Sequence, residues 1–268
     1  MVLGLVITDV VVAQRLTDCI WLGLDSVHSE PHIENVTRVF SALKLGVKKL
    51  DSYYKSLKPD DSPPLESRYF PSITSYRGVD GLVDFEYIGY LENCLGCVTL
   101  RARTRGESSS NIVVKFVHRY GDTAHRILAD AGLAPKLLYY GSPHFTEGQP
   151  SYHNLSMVVM DYIEGPTLAT AREVIDDKAE GVARSEVRRA LDLLHSAGLV
   201  FGDVRPPNIK VNITTGEVKL IDFDWAGVEG KVKYPYLISM DIPWPEGVKA
   251  LATIECVHDN EMFKTLFQ

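Results

Sequence analysis

The sequence predicts an α+β fold in three stretches: a helical extension over residues 1–84, a strand-rich segment over 85–165 and a helix-and-loop segment over 166–268. Three observations lead there. Short apolar runs separated by polar turns follow one another from Phe85 to Val117. One strongly amphipathic helical stretch runs from Ala183 to Ser196. Between Val200 and Asp224, carboxylates and an amide sit at the ends of very short apolar runs, as in a site built on loops.

Taken in order, residues 1–30 are apolar with weak periodicity and resist assignment. Asn35 to Leu57 reads as a long amphipathic helix on Val36, Val39, Phe40, Leu43, Leu45, Val47, Leu50, Tyr53 and Leu57. Pro59 to Pro64 ends it, and a loop is predicted through Gly81. Strands are predicted at Phe85–Leu91, Cys97–Ala102 and Asn111–Val117, with a polar turn at Thr104–Ser110. A helix over Gly121–Ala131, an extended Lys136–Tyr140 and a strand from His153 to Met160 complete the strand-rich part. The helix over Ala183–Ser196 carries Val187, Leu191 and Leu194 on one side and is closed by Gly198. A final helix is predicted from Pro245 onward.

Composition narrows the function. Of 268 residues 45% are hydrophobic, enough for an ordinary core, and the formal net charge of -7 argues against a nucleic-acid-binding surface. Met1 to Ala13 is apolar but is interrupted by Asp9 and lacks a basic leader, so neither a signal peptide nor a membrane span is expected; the cytoplasm or nucleus is. Cys94 and Cys97 form a CxxC that is half a metal site at best, so buried or incidental thiols are expected beside the metal or redox alternative. Asn212-Ile213-Thr214 matches a glycosylation sequon but reads as a turn.

The chemistry concentrates in VFGDVRPPNIKV (200–211) and LIDFD (220–224). Phosphoryl transfer needs a carboxylate to orient a hydroxyl and take its proton, an amide and a carboxylate for magnesium, and a cation for the phosphates. Asp203 is the candidate base. Asn208, five residues on, and Asp222, carried in by Val218–Ile221, are the candidate magnesium ligands. Lys115, alone inside Val113–Phe116, is the candidate phosphate ligand, with an edge-strand lysine that snorkels as the alternative. A buried lysine needs a partner, and Asp122 on the following helix is the first choice. Arg205 would neutralise the transferring phosphate or pair with Asp203, or else only stiffen the loop. Asp224 is either a second metal-facing carboxylate or a cap. Asp161 to Ile163 would offer backbone groups to an adenine edge. Trp225, Tyr234 and Trp244 would fill core or line a cleft.

These motifs resemble the protein kinase-like superfamily over about Phe85–Asp224. MVVMDYIEG (157–165) is similar to the fifth strand and hinge of that family. The resemblance implies a two-lobed kinase-like fold in which Lys115 grips phosphate, Asp161, Tyr162 and Ile163 face adenine, Asp203 acts as catalytic-loop aspartate, and Asn208 and Asp222 hold Mg2+ with ATP. Within the superfamily the chain looks most like small atypical kinase-like proteins of mushroom-forming fungi, on LDSYYKSL, AGLAPKLLYYG, IDFDWAGVEGKVKYP, IPWPEGV and HDNEM. Gly202 and Asp224 are similar to the pattern of aminoglycoside and choline kinases. The chain departs from the family pattern at several points. Phe201 stands at the usual histidine and Arg205 at the lysine. No helix glutamate is evident for Lys115, and Gly89 and Gly96 make a degenerate phosphate loop. Asp222 leaves only 47 residues, itself included, for the rest of a shortened C-terminal lobe. The expectation is an ATP- and magnesium-dependent phosphotransferase acting on a protein or small-molecule hydroxyl. The alternatives are a catalytically inactive pseudokinase that binds nucleotide or protein, and an unrelated fold. No nucleic acid or membrane partner is expected, and the N-terminal helix is a candidate protein contact.

Overall fold

The structure is a computed structural model that describes residues 3–7, 11–17, 30–57, 70–91, 99–106, 109–143 and 155–267. It divides into two compact units, 1–71 and 72–268. In the first, β1 (Leu3–Ile7) and β2 (Val11–Arg15) pair antiparallel, placing strands in the stretch whose sequence resisted assignment. The helix α1 (Glu30–Ser56) begins five residues before the predicted start. Ion pairs one turn apart, Arg38–Glu34 at 3.2 Å and Lys55–Asp51 at 2.8 Å, support its solvated side. Pro59 to Pro64, Cys19, Cys94, Gly96 and Cys97 lie outside the described residues.

The second unit starts from one antiparallel sheet. Its strands are β3 (Ser75–Arg77), β4 (Leu82–Tyr90), β5 (Thr99–Thr104), β6 (Asn111–Val117), β7 (Leu137–Gly141) and β8 (Ser156–Asp161), in the order β3-β4-β5-β6-β8-β7. Period-two alternation sets its faces. Leu100, Ala102, Ile112, Val114 and Phe116 are buried on one side, while Thr99, Arg101, Val113 and Lys115 share the other. The loop predicted through Gly81 is instead a hairpin. Tyr76 is buried, Gly78 N–H donates to Gly81 O at 2.7 Å, and Gly81 takes φ +135°. Its two glycines and Asp80 hide the alternation that would have marked it as strand.

Below the sheet, α2 (Asp122–Asp130) packs on α4 (Asp177–Ser196). The short α3 (Leu168–Ala171) precedes α4, whose start is set by the Asp176 carboxylate accepting Ala179 N–H at 2.7 Å. Ala183, Val187, Ala190, Leu191 and Leu194 form its fully buried stripe. Gly198 ends it at φ +68°. Two-stranded ribbons follow: β9 (Leu199–Val200) pairs with β12 (Gly227–Val228), and β10 (Ile209–Val211) pairs with β11 (Val218–Leu220). Between β10 and β11 the Asn212 side chain accepts from Thr214 and Thr215 N–H, a turn role as expected. No helix begins at Pro245. Pro243, Pro245 and Gly247 (φ +89°) keep that stretch in turns, and α5 (Cys256–Thr265) forms only beyond them. Tyr234 is fully buried, while Trp225 and Trp244 are half-buried.

Candidate functional site

The loop after β9 is shaped by a glycine and a distant carboxylate. Gly202 sits at φ +82°, where an added Cβ would lie 3.1 Å from Ile254 and 3.2 Å from Trp225. Asp259, fully buried on α5, accepts the N–H of Phe201 at 2.8 Å and of Gly202 at 2.7 Å, and takes His195 Nε2 at 3.1 Å. This delivers Asp203 into the interior at 4% exposure. Arg205 forks onto it: Nε meets Oδ1, and Nη2 donates to Oδ2 at 2.6 Å. Pro206–Asn208 forms a single 3-10 turn that folds Asn208 back, so its Nδ2 donates to Asp203 Oδ2 at 2.8 Å and to the Asp203 carbonyl at 3.1 Å. Burial raises the Asp203 carboxyl above its usual range, and Arg205 and Asn208 oppose that rise. The Arg205 guanidinium lies 5.3 Å from the Trp244 ring centroid, so an aromatic from the turn-rich stretch covers it.

Lys115 crosses from β6 to the motif after β11. Its Nζ lies 2.5 Å from Asp222 Oδ1 and 2.9 Å from Asp224 Oδ2. Burial alone would lower the ammonium's pKa; the two carboxylates outweigh that and hold it above its usual value. Burial pushes the Asp224 carboxyl up to about 6, against the pull of Lys115. Asp122 is not the partner of Lys115. It opens α2 with its carboxylate 3.9 Å from Arg126 Nε, one turn along its own helix. Asp222 adopts φ +68°, a left-handed conformation uncommon outside glycine and found where a site over-determines the backbone. Among the described residues no group of three or more His, Cys, Asp or Glu side chains could hold a metal. Asn208 and Asp222 would therefore offer magnesium a sparse oxygen set, which suits an ion that takes one or two protein ligands and completes its shell with phosphates and water.

The stretch Asp161–Ile163, the candidate adenine contact, begins at the last residue of β8. Asp161 N–H donates to Lys136 O at 3.0 Å and Tyr162 N–H to Asn111 O at 3.2 Å, with Ile163 next in irregular chain. Burial raises the Asp161 carboxyl, with Lys136 opposing. Arg101, opposite Val113 on the face that carries Lys115, lays its guanidinium 4.4 Å from the Tyr162 ring centroid. From the other side Lys210 Nζ donates to Gly165 O at 2.6 Å. Two cations thus bracket this stretch.

An aromatic stack joins the parts. Phe201, at the place where the family pattern has histidine, packs edge-on to Phe223 at 5.3 Å. Phe223 stacks on His125 of α2 at 4.4 Å and 3°. His125 in turn bonds Tyr120 Oη at 2.7 Å and Pro135 O at 2.8 Å. Asp259, His125 and Arg101 were not singled out from sequence. The signals for Asp259 are its place in the HDNEM segment and on the helix side that also carries Met262.

No protein-family model matches the chain. Three curated relatives align with part of it. They are the serine/threonine-protein kinase PknG of Mycolicibacterium smegmatis (37% identical, 35% of this chain and 12% of the relative), YabT of Bacillus subtilis (30%, 41% and 36%) and cAMP-dependent protein kinase type 3 of Saccharomyces cerevisiae (34%, 34% and 23%). The aligned part is thus a minor share of each relative's length. Among solved structures, the Cydia pomonella granulovirus kinase PK-1 superposes with a TM-score of 0.42 at 18% identity, over 55% of this chain and 53% of that one. The aligned relatives are protein kinases, and over these segments the chain is similar to them.

Proposed function

We propose that the chain is an ATP- and magnesium-dependent phosphotransferase of protein kinase-like type, acting on a hydroxyl-bearing acceptor. The observation that carries this is the contact of Lys115 with Asp222, 107 residues apart, which brings the candidate phosphate ligand against the candidate metal ligand. In this reading Lys115 holds the phosphates, the Asp161–Ile163 backbone takes the adenine edge, and Asn208 and Asp222 hold Mg2+. The ion neutralises phosphate charge when bound. Asp203 accepts the acceptor hydroxyl's proton as its oxygen attacks the γ-phosphorus; the bond to the bridging oxygen breaks and ADP leaves. Arg205 must turn from Asp203 to the phosphate for that, since its fork occupies both carboxylate oxygens.

That fork favours a second reading, a nucleotide- or protein-binding pseudokinase in which the carboxylate is permanently engaged. Calorimetry with ATP, with and without magnesium, separates the outcomes. Binding that needs magnesium and is lost in Asp222→Ala supports the nucleotide site. Transfer to an acceptor in a substrate screen, abolished in Asp203→Asn with binding kept, supports the enzyme. Folded protein that binds no nucleotide overturns the enzyme and leaves a scaffold. The likeness to atypical fungal and aminoglycoside kinases belongs to this proposal, as does a role for α1 in protein contact.

A further inference from the structure

A buried ammonium has to be paired, and the helix beside Lys115 does not pair it: Asp122 is turned to Arg126, and α2 contains no glutamate. The counter-charge comes from Asp222 and Asp224. These two carboxylates are held differently. The backbone around Asp224 is pinned at three points: Gly121 N–H donates to Phe223 O at 2.9 Å, Arg119 Nε to Asp224 O at 2.9 Å, and Ala226 N–H to Phe223 O at 3.2 Å. Arg119 also donates to Lys233 O at 2.6 Å, tying that loop to the next. Asp224 turns Oδ2 to Lys115 at 2.9 Å and buries Oδ1 away from solvent. Asp222 is the more exposed of the two, spends only Oδ1 on Lys115 and stands at the end of the strand nearest Asn208.

We propose that Asp224 is the positioning carboxylate of Lys115, supplied by the Asp-Phe-Asp motif itself in place of a helix residue, and that it is not a magnesium ligand. The division of work follows. A cation that draws Asp222 away would leave Lys115 unpaired if Asp222 were its sole anchor; Asp224 keeps the ammonium aimed at the phosphates throughout. This rests on the phosphotransferase reading for its purpose, but its geometry stands without it.

The test has two arms. In the ligand-free protein, acylation of Lys115 by an N-hydroxysuccinimide ester is followed by peptide mass spectrometry. Asp224→Ala should speed labelling about tenfold, and Asp224→Asn, which keeps the shape and loses the charge, by less. Both variants are checked by circular dichroism, and the isosteric one serves if the alanine variant fails to fold. Unchanged labelling in folded Asp224 variants overturns the proposal. In the second arm, Mg2+-ATP binding is measured for Asp224→Ala, Lys115→Met and the double variant. Asp224→Ala should weaken binding, add nothing to Lys115→Met and leave the magnesium midpoint at the wild-type value. Additive losses, or a shifted magnesium midpoint like that of Asp222→Ala, overturn it. If wild type binds no nucleotide while labelling responds as expected, the phosphotransferase reading falls and the anchoring of Lys115 by Asp224 stands.

Discussion

Asp259 shows how far a single carboxylate can reach. It lies 56 residues beyond Asp203 in sequence, yet it holds the two backbone N–H groups that lead into that residue. Replacing it with alanine leaves two buried donors and His195 without their acceptor, at a cost of about 3 kcal/mol. Urea unfolding of Asp259→Ala should show that loss; a change within experimental scatter would mean that the loop is held by its own turns. Asp203, Asn208 and Asp222 were legible because their spacing is local: a 3-10 turn fixes the first two relative to each other, and a three-residue strand carries in the third. The partner of Lys115 was not legible. Sequence adjacency pointed to Asp122, but a helix residue can satisfy itself one turn along, and Arg126 is there. Asp259 and His125 act only through contacts that the fold creates.

At the level of elements, the site depends on how closely α2 approaches the Asp-Phe-Asp turn. A Cβ on Gly121 would lie 2.6 Å from Ala226 O, 2.7 Å from Ala226 Cβ and 2.8 Å from Ala226 C, backbone atoms and a methyl carbon fixed to them that cannot rotate away. Gly121→Ala should therefore push α2 from the turn and cost about 2 kcal/mol, in the range for overpacking a filled space. Denaturant melts check the magnitude. Faster acylation of Lys115 in the same variant would show that the shift reaches Asp224. The strands of the sheet were legible for β6, whose Asn111–Val117 bounds match the prediction, because a β-branched apolar run there is broken only by Lys115 and is bounded by polar turns. The β3–β4 hairpin was hidden by glycine and polar residues. The helix predicted from Pro245 was misplaced because apolar residues near 244–252 serve turns, with Leu251 itself at φ +61°. The fold class and central strands thus follow from periodicity, whereas turn-rich connections are decided by long-range packing.

For the molecule as a whole, pH dependence is where these buried groups meet. His125 has no exposed surface, and its two bonds are satisfied by the neutral ring: Nε2–H donates to Pro135 O, and Nδ1 accepts from Tyr120. Burial lowers its pKa from 6.5 to about 4, with Arg126 adding to the fall and the Pro135 bond opposing it. The unfolded chain therefore binds the proton first. The contribution of neutral His125 is complete above the unfolded pKa and is lost as pH falls toward 4, a change on the order of 3 kcal/mol. Asp224 acts in the opposite sense. Its folded pKa, raised to about 6, makes its ionisation cost stability as pH rises from the ordinary carboxylate value toward that point. Asp203 and Asp161, also raised by burial, lean the same way. The total profile can look flat while large terms cancel, so the informative quantity is a difference. The unfolding free energy of wild type minus that of His125→Gln should shrink by on the order of 3 kcal/mol between pH about 7 and about 4, measured by urea titration at each pH. A difference that stays constant would mean that His125 binds its proton equally well in the folded and the unfolded chain. Tyr120 Oη would then turn from donor to acceptor as Nδ1 takes its proton, with the Pro135 bond kept and no net loss to the fold.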